Sequence, residues 1–128
     1  MNDERFISLK LSEVQKLLKA EIIYGDHKLE TEVETAAGSD LMSDLLTGPT
    51  AGALLLSGLN NLQVIRTAVI AGFRGVVLVR GKKPDPEMIA QARMHDVPLM
   101  TTPFTLFTAC GRLFKEGVRG VERGKKSP

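Results

Sequence analysis

Three short, unbroken apolar runs constrain this chain more than any other feature: Ala53-Leu54-Leu55-Leu56, Gly75-Val76-Val77-Leu78-Val79 and Val97-Pro98-Leu99-Met100. A strand with one wet face alternates apolar and polar residues. A strand that does not alternate is covered on both faces. Helical patterns follow each run. Asn60 or Asn61 can cap a helix through Ala71, Pro84 to His95 reads as a second helix with Pro86 in its first turn, and Pro103 to Lys115 reads as a third closed by Gly117. Strand and helix alternating across short joints predict an α/β fold with a mostly parallel sheet and helices on its faces.

The N-terminal part reads differently. Ser12-Glu13-Val14-Gln15 has capping-box spacing ahead of a short helix to Lys19. Glu21 to Tyr24 suits a strand. Leu29 to Thr35 alternates, with Glu30, Glu32 and Glu34 on one side, so it predicts a strand with a wet face that gives the sheet a mixed edge. Ser39 to Leu46 reads as a short helix capped by Ser39 or Asp40 and ended by Gly48-Pro49.

At 128 residues, 43% hydrophobic and 25% charged, the chain fits one soluble domain. The charged start, Met1 to Arg5, predicts no secretion signal, and one cysteine, Cys110, fits a reducing compartment. Residues 1–117 are expected to form the domain. Residues 118–128, rich in Gly and Lys, are expected to be a basic, flexible tail. The net charge of +2 is uneven, since six basic and two acidic residues lie from Arg112 onward. A basic face on the folded body is therefore not predicted, nor is binding to nucleic acid or membrane.

Parallel strands offer ligand sites at their carboxyl ends. Those ends fall at Ser57-Gly58-Leu59-Asn60, Arg80-Gly81-Lys82-Lys83 and Thr101-Thr102, so one rim would gather hydroxyls, an amide, an arginine and two lysines. That chemistry suits a phosphate-bearing ligand. Arg80, Lys82 and Lys83 would neutralise charge, Gly58 and Gly81 would let backbone approach, and Ser57, Asn60 and Thr102 would orient the ligand, with Thr101 beside them in the candidate set. Ser39, Asp40, Ser43 and Asp44 join the set only if their helix abuts this rim.

Other chemistries lack their residues. No G-x-x-x-x-G-K-[ST] or G-x-G-x-x-G string is present. With two histidines and one cysteine a zinc site is not expected, nor is any cofactor. Cys110 reads as a small buried hydrophobe. Neither histidine falls at a predicted strand end, so no general base is legible and the chain is not expected to be an enzyme. The third helix is apolar over a wide arc. Phe104, Phe107, Cys110, Leu113 and Phe114 are expected to form the interface of a homodimer.

Four blocks of the sequence are similar to stand-alone DRTGG-domain proteins: Ser39 to Asp44, Ser57 to Ala68, Val77 to Asp85, and Pro98 to Thr102 followed by Cys110 to Leu113. The resemblance runs from about Leu9 to Gly117, although the literal DRTGG string is absent. It implies the three-layer α/β/α sandwich of the N-terminal domain of HPr kinase/phosphorylase. It also implies a regulatory or dimer-forming module and names no ligand; joined to the polar rim, it gives the expectation of a cytoplasmic regulatory domain that dimerises and binds a nucleotide or phosphorylated metabolite. The alternative it leaves is a protein–protein interaction module, accessory to a redox or hydrogenase system, with no small-molecule site.

Overall fold

The computed structural model describes residues 7–124. The three apolar runs become adjacent strands: β5 (Leu54–Ser57), β6 (Gly75–Leu78) and β7 (Leu99–Thr101), all parallel. Their lack of alternation has a direct cause. Leu54, Leu56, Val77 and Met100 pack into one core, while Leu55, Val76, Leu78 and Leu99 pack into another on the opposite face. The first core is covered by α1 (Leu11–Leu18) and α4 (Leu106–Lys115), the second by α2 (Leu62–Ala71) and α3 (Pro86–His95). The result is the expected sandwich of helices on both faces of a mostly parallel sheet.

The helix ends follow local chemistry. The Asn61 side chain accepts from the Gln63 N–H at 2.9 Å, and Gly72 ends α2 in the left-handed conformation. Pro86 opens α3, where its missing N–H costs nothing. Thr105 caps α4, whose last turn carries Arg112 and Lys115 where the dipole favours cations. The box at the start of α1 differs from expectation. The Lys10 N–H donates to Glu13 Oε1 at 2.8 Å, and neither Ser12 nor Gln15 caps the helix. The strand β1 (Leu9–Lys10) runs straight into the helix, which moves its start to Leu11.

The full sheet has six strands in the order β2-β7-β6-β5-β4-β8. At one border, β2 (Glu21–Tyr24) is antiparallel to β7, with a register shift between Ile22 and Tyr24, and supplies the mixed edge. The acidic stretch does not form one strand. β3 (Glu32–Val33) pairs with β1 in a separate two-stranded ribbon, and β4 (Thr35–Gly38) joins the main sheet parallel to β5. Glu30, Glu32 and Glu34 are exposed, as the alternation predicts, but the strand breaks after Val33. Ser39 to Leu46 is not an α-helix either. A 3-10 turn spans Met42–Leu46, and the Ser39 hydroxyl accepts from the Leu41 N–H instead of capping it.

Beyond residue 117 the chain continues into the body. Val118 is 2% exposed, and β8 (Arg119–Gly120) adds a parallel strand beside β4. A 3-10 turn, Val121–Gly124, follows. These residues are anchored by backbone pairing, contrary to a flexible tail beginning at 118. The end of that predicted tail, residues 125–128, lies outside the described residues.

Candidate functional site

Since β4, β5, β6 and β7 are parallel neighbours, their carboxyl ends lie along one border of the sheet. The three predicted joints therefore meet, and β4 adds Ser39 and Asp40 beside them. The main-chain ladder continues into the rim: Ser39 N–H donates to Leu56 O, Val79 N–H to Ser57 O and Thr102 N–H to Leu78 O.

Most polar groups there are engaged with one another. Asp40 Oδ1 accepts from the Gly58 N–H at 2.7 Å and the Ser57 hydroxyl at 3.1 Å, and Ser57 Oγ accepts from the Leu59 N–H. Asp40 thus ties the end of β4 to the end of β5. The Asn60 amide bridges to the loop after β6, donating to Lys83 O at 2.7 Å and accepting from the Asp85 N–H at 3.0 Å. Lys82 Nζ donates to Gly58 O, and the Thr101 hydroxyl donates to Lys82 O at 2.8 Å. Thr102 is fully buried. Its hydroxyl donates to the Leu18 carbonyl at the end of α1 and accepts from the Phe104 N–H. It faces inward, so it cannot orient a ligand as the sequence reading had it. Ser43 and Asp44 are exposed in the 3-10 turn, where Asp44 O accepts from the Thr47 hydroxyl.

Arg80 stands apart. Its φ of +66° is left-handed, as is the +64° of Gly81 after it. Among the described residues the other non-glycine positions with positive φ, Lys19 and Asp96, are the C-caps of α1 and α3, where that conformation is common. Arg80 ends no helix. Its N–H donates to Phe104 O at 2.7 Å and the Gly81 N–H donates to Thr102 O at 2.8 Å, which holds the reversal in place. A left-handed non-glycine residue costs about 1–2 kcal/mol, and such strain concentrates at functional positions. The Arg80 guanidinium lies over Gly58, where a Cβ would come within 3.0 Å of its nitrogens. Arg80 and Lys83 are both exposed.

Two other features lie off this rim. An apolar hollow of about 330 Å³ opens between α4 and the strands β4 and β8, lined by Phe107, Cys110 and Phe114 among others. Burial pushes the Cys110 thiol up from its ordinary pKa, which works against a nucleophilic role. Of the expected interface residues, Leu113 is 1% exposed in the core and Phe104 is covered by the Arg112 guanidinium at 4.2 Å, so neither is available as an outward anchor. Phe107 and Phe114 are exposed.

At the opposite border of the sheet is a cluster that the sequence reading missed. Asp96 Oδ1 accepts from the Tyr24 hydroxyl and meets His27 Nε2, each at 2.7 Å, while Lys28 Nζ lies 3.1 Å from Oδ2. These partners, the Tyr24 hydroxyl foremost, hold the Asp96 carboxyl well below the usual carboxylate range. The bond to Asp96 raises Tyr24 in turn. His27 and Asp96 stand 69 residues apart, so no local motif announces them. The cluster pins the corner after β2 to the end of α3. Among the described residues no group of three or more His, Cys, Asp or Glu side chains is placed to hold a metal.

Comparison with known proteins agrees with this architecture. The family model described as the DRTGG domain matches residues 13–115. No curated protein matches the chain. Among solved structures, the chain is similar to the CBS and DRTGG domains of the regulatory region of Clostridium perfringens pyrophosphatase, a structure complexed with the activator diadenosine tetraphosphate. The TM-score is 0.67 at 16% identity, over 89% of this chain and 49% of that one. The likeness is therefore one of fold, and this chain spans about half the length of that regulatory region.

Proposed function

This chain belongs to the DRTGG-domain family, and from that premise we propose that it is a non-catalytic regulatory domain whose carboxyl-edge rim binds a phosphate-bearing small molecule, an adenine nucleotide being the leading candidate. The observation that carries the reading is Arg80: an exposed guanidinium on a strained backbone, over a glycine, with Lys83 in the same loop. The remaining rim residues act as scaffold. Asp40, Ser57, Asn60, Lys82 and Thr101 fix the loops, and Gly58 keeps the surface beneath Arg80 low. The fold neighbour adds support, since it is a regulatory region in complex with a nucleotide activator.

The non-catalytic part rests on the position of the candidate bases. His27 is held by Asp96, and His95 ends α3 beside it, both at the border away from the rim. The cytoplasmic location and the likeness to the HPr kinase/phosphorylase N-terminal domain belong to the same reading and rest on the sequence resemblance.

A thermal-shift titration with ATP, diadenosine tetraphosphate and pyrophosphate tests the proposal. Binding to the native state alone must raise Tm. A ligand at ten times its Kd adds about 1.4 kcal/mol, or about 5 °C for a chain of this size. The rise is expected in wild type and is lost in Arg80→Ala and Lys83→Ala. An unchanged Tm with all three at millimolar concentration overturns the ligand reading and leaves docking on a protein as the function.

A further inference from the structure

A cavity of about 390 Å³ opens at the border of the sheet opposite the rim. It lies where β6 and β7 begin, between the turns that lead out of α2 and α3 and the corner after β2. Val69, Phe73 and Pro98 give it an apolar wall, with Val69 exposed and the other two buried beneath. Pockets that hold small molecules run from about 300 Å³ upward and set a few polar groups among such walls.

The acceptors of this cavity are spent. The main-chain carbonyls of Lys28, Thr31, Val69, Asp96 and Pro98 each accept a hydrogen bond from within the chain. The lining carboxylate, Asp96, is held by Tyr24, His27 and Lys28. The donors are not spent. Lys28 directs its ammonium to the Asp96 carbonyl at 3.0 Å and to Asp96 Oδ2 at 3.1 Å, and keeps one N–H. Arg74 Nη1 donates to the Glu32 carbonyl at 2.7 Å, which leaves the rest of the guanidinium fork open. Glu32 and Glu34 lie in the neighbouring hollow that Arg74 also borders, yet among the described residues Arg74 has no ion pair, and the Glu32 carboxylate accepts from the Ser8 hydroxyl at 2.8 Å. The Thr31 hydroxyl and the exposed His95 ring have no partner among the described residues. Asp96 offsets the charge of Lys28, so that of Arg74 stands uncompensated in the lining.

We propose that this cavity is a second small-molecule site, which takes a small carboxylate carrying one flat apolar ring. Open donors beside spent acceptors select an acceptor-rich, negatively charged head. The carboxylate accepts from Arg74 and His95 at the mouth and from Lys28 and Thr31 beside them, and the ring lies against Val69 and Phe73. An anion without an apolar body leaves that wall wet, and a neutral ring leaves the donors unpaired. The site is independent of the rim, since it lies at the other border of the sheet and shares no residue with it.

NMR titration of the 15N-labelled chain at pH 7 and constant ionic strength provides the test, with sodium benzoate, sodium phosphate and benzyl alcohol as probes. For a ligand of about nine heavy atoms in an open pocket, a Kd on the order of 10 mM is expected, so each titration runs to about 50 mM. Benzoate is expected to shift the amides of Thr31, Arg74 and His95 saturably, while phosphate and benzyl alcohol each bind about tenfold more weakly or worse. Arg74→Gln raises the benzoate Kd about tenfold. Val69→Trp, on the exposed wall, fills the cavity and abolishes the shifts, with the rest of the spectrum unchanged as the check on folding. Arg80→Ala binds benzoate like wild type, which separates this site from the rim. Absence of saturable shifts at the top benzoate concentration overturns the proposal. So does phosphate binding as tightly as benzoate, or a benzoate Kd that is the same in Arg74→Gln.

Discussion

Replacing Thr102 by valine separates a structural hydroxyl from a ligand-binding one. Thr102 is 0% exposed at the end of β7. Its hydroxyl donates to the Leu18 carbonyl at 2.5 Å and accepts from the Phe104 N–H at 3.3 Å. Leu18 ends α1, so its carbonyl has no partner within the helix. Valine matches threonine in shape but offers neither donor nor acceptor. It leaves a buried C=O and a half-buried N–H without this partner, at a cost of about 1–3 kcal/mol, most of it from the C=O. With an unfolding entropy near 2.1 cal/mol/K per residue, that lowers Tm by about 4–11 °C. Thr102→Ser keeps both bonds and loses only a methyl, costing about 1 kcal/mol. Urea unfolding followed by circular dichroism gives both numbers, with equal m-values showing that the comparison is of native states. A Thr102→Val variant within about 0.5 kcal/mol of wild type would refute the argument, because the penalty of orphaned buried groups would then be absent.

Three further outcomes follow from the geometry. The depressed Asp96 carboxyl stabilises the fold above the ordinary Asp pKa, near pH 4, and that contribution is lost as pH falls through and below it. Asp96→Asn, which tolerates the left-handed φ of +57°, should destabilise the protein at pH 7 and flatten its acid unfolding limb in pH-dependent melts; an unchanged limb would count against the cluster. Gly25→Ala should cost about 2 kcal/mol or more, since φ is +111° and the new Cβ would meet the Pro98 backbone at 2.8 Å, while Gly111→Ala in open space should gain about 0.5–1 kcal/mol, both read by denaturant melts. Cys110 should react with iodoacetamide at pH 8 more slowly than free cysteine, and denaturant should remove the difference.

What the sequence revealed and what it hid divide along physical lines. β5, β6 and β7 were legible because burial on two faces leaves no polar residue in Leu54 to Leu56 or Val76 to Leu78. Their shared direction followed from the helices between them, so the meeting of the joints after Ser57, Leu78 and Thr101 was legible as well. β4 was hidden because Thr35-Ala36-Ala37-Gly38 carries almost no apolar side chain. Its small residues are there because α4 passes close: a Cβ at Gly38 would lie 2.7 Å from Cys110 Sγ. β8 pairs through only two residues, too few for any periodicity. Within the rim, residue types were readable but directions were not. Nothing in Thr101-Thr102 says which hydroxyl turns inward, and nothing local says that Asp40 reaches Gly58. Tyr24, His27 and Asp96 meet only through the antiparallel pairing of β2 with β7.

The two borders of the sheet have a consequence for life in a crowded solution. A raw sheet edge is a template on which a foreign strand can zip. Here one edge is β2, four residues long, interrupted by its register shift and carrying the charged Glu21, and the other is β8, two residues long. Neither gives an incoming chain enough regular backbone to nucleate a fibril, which leaves side chains, not main chain, to decide how copies of this protein meet.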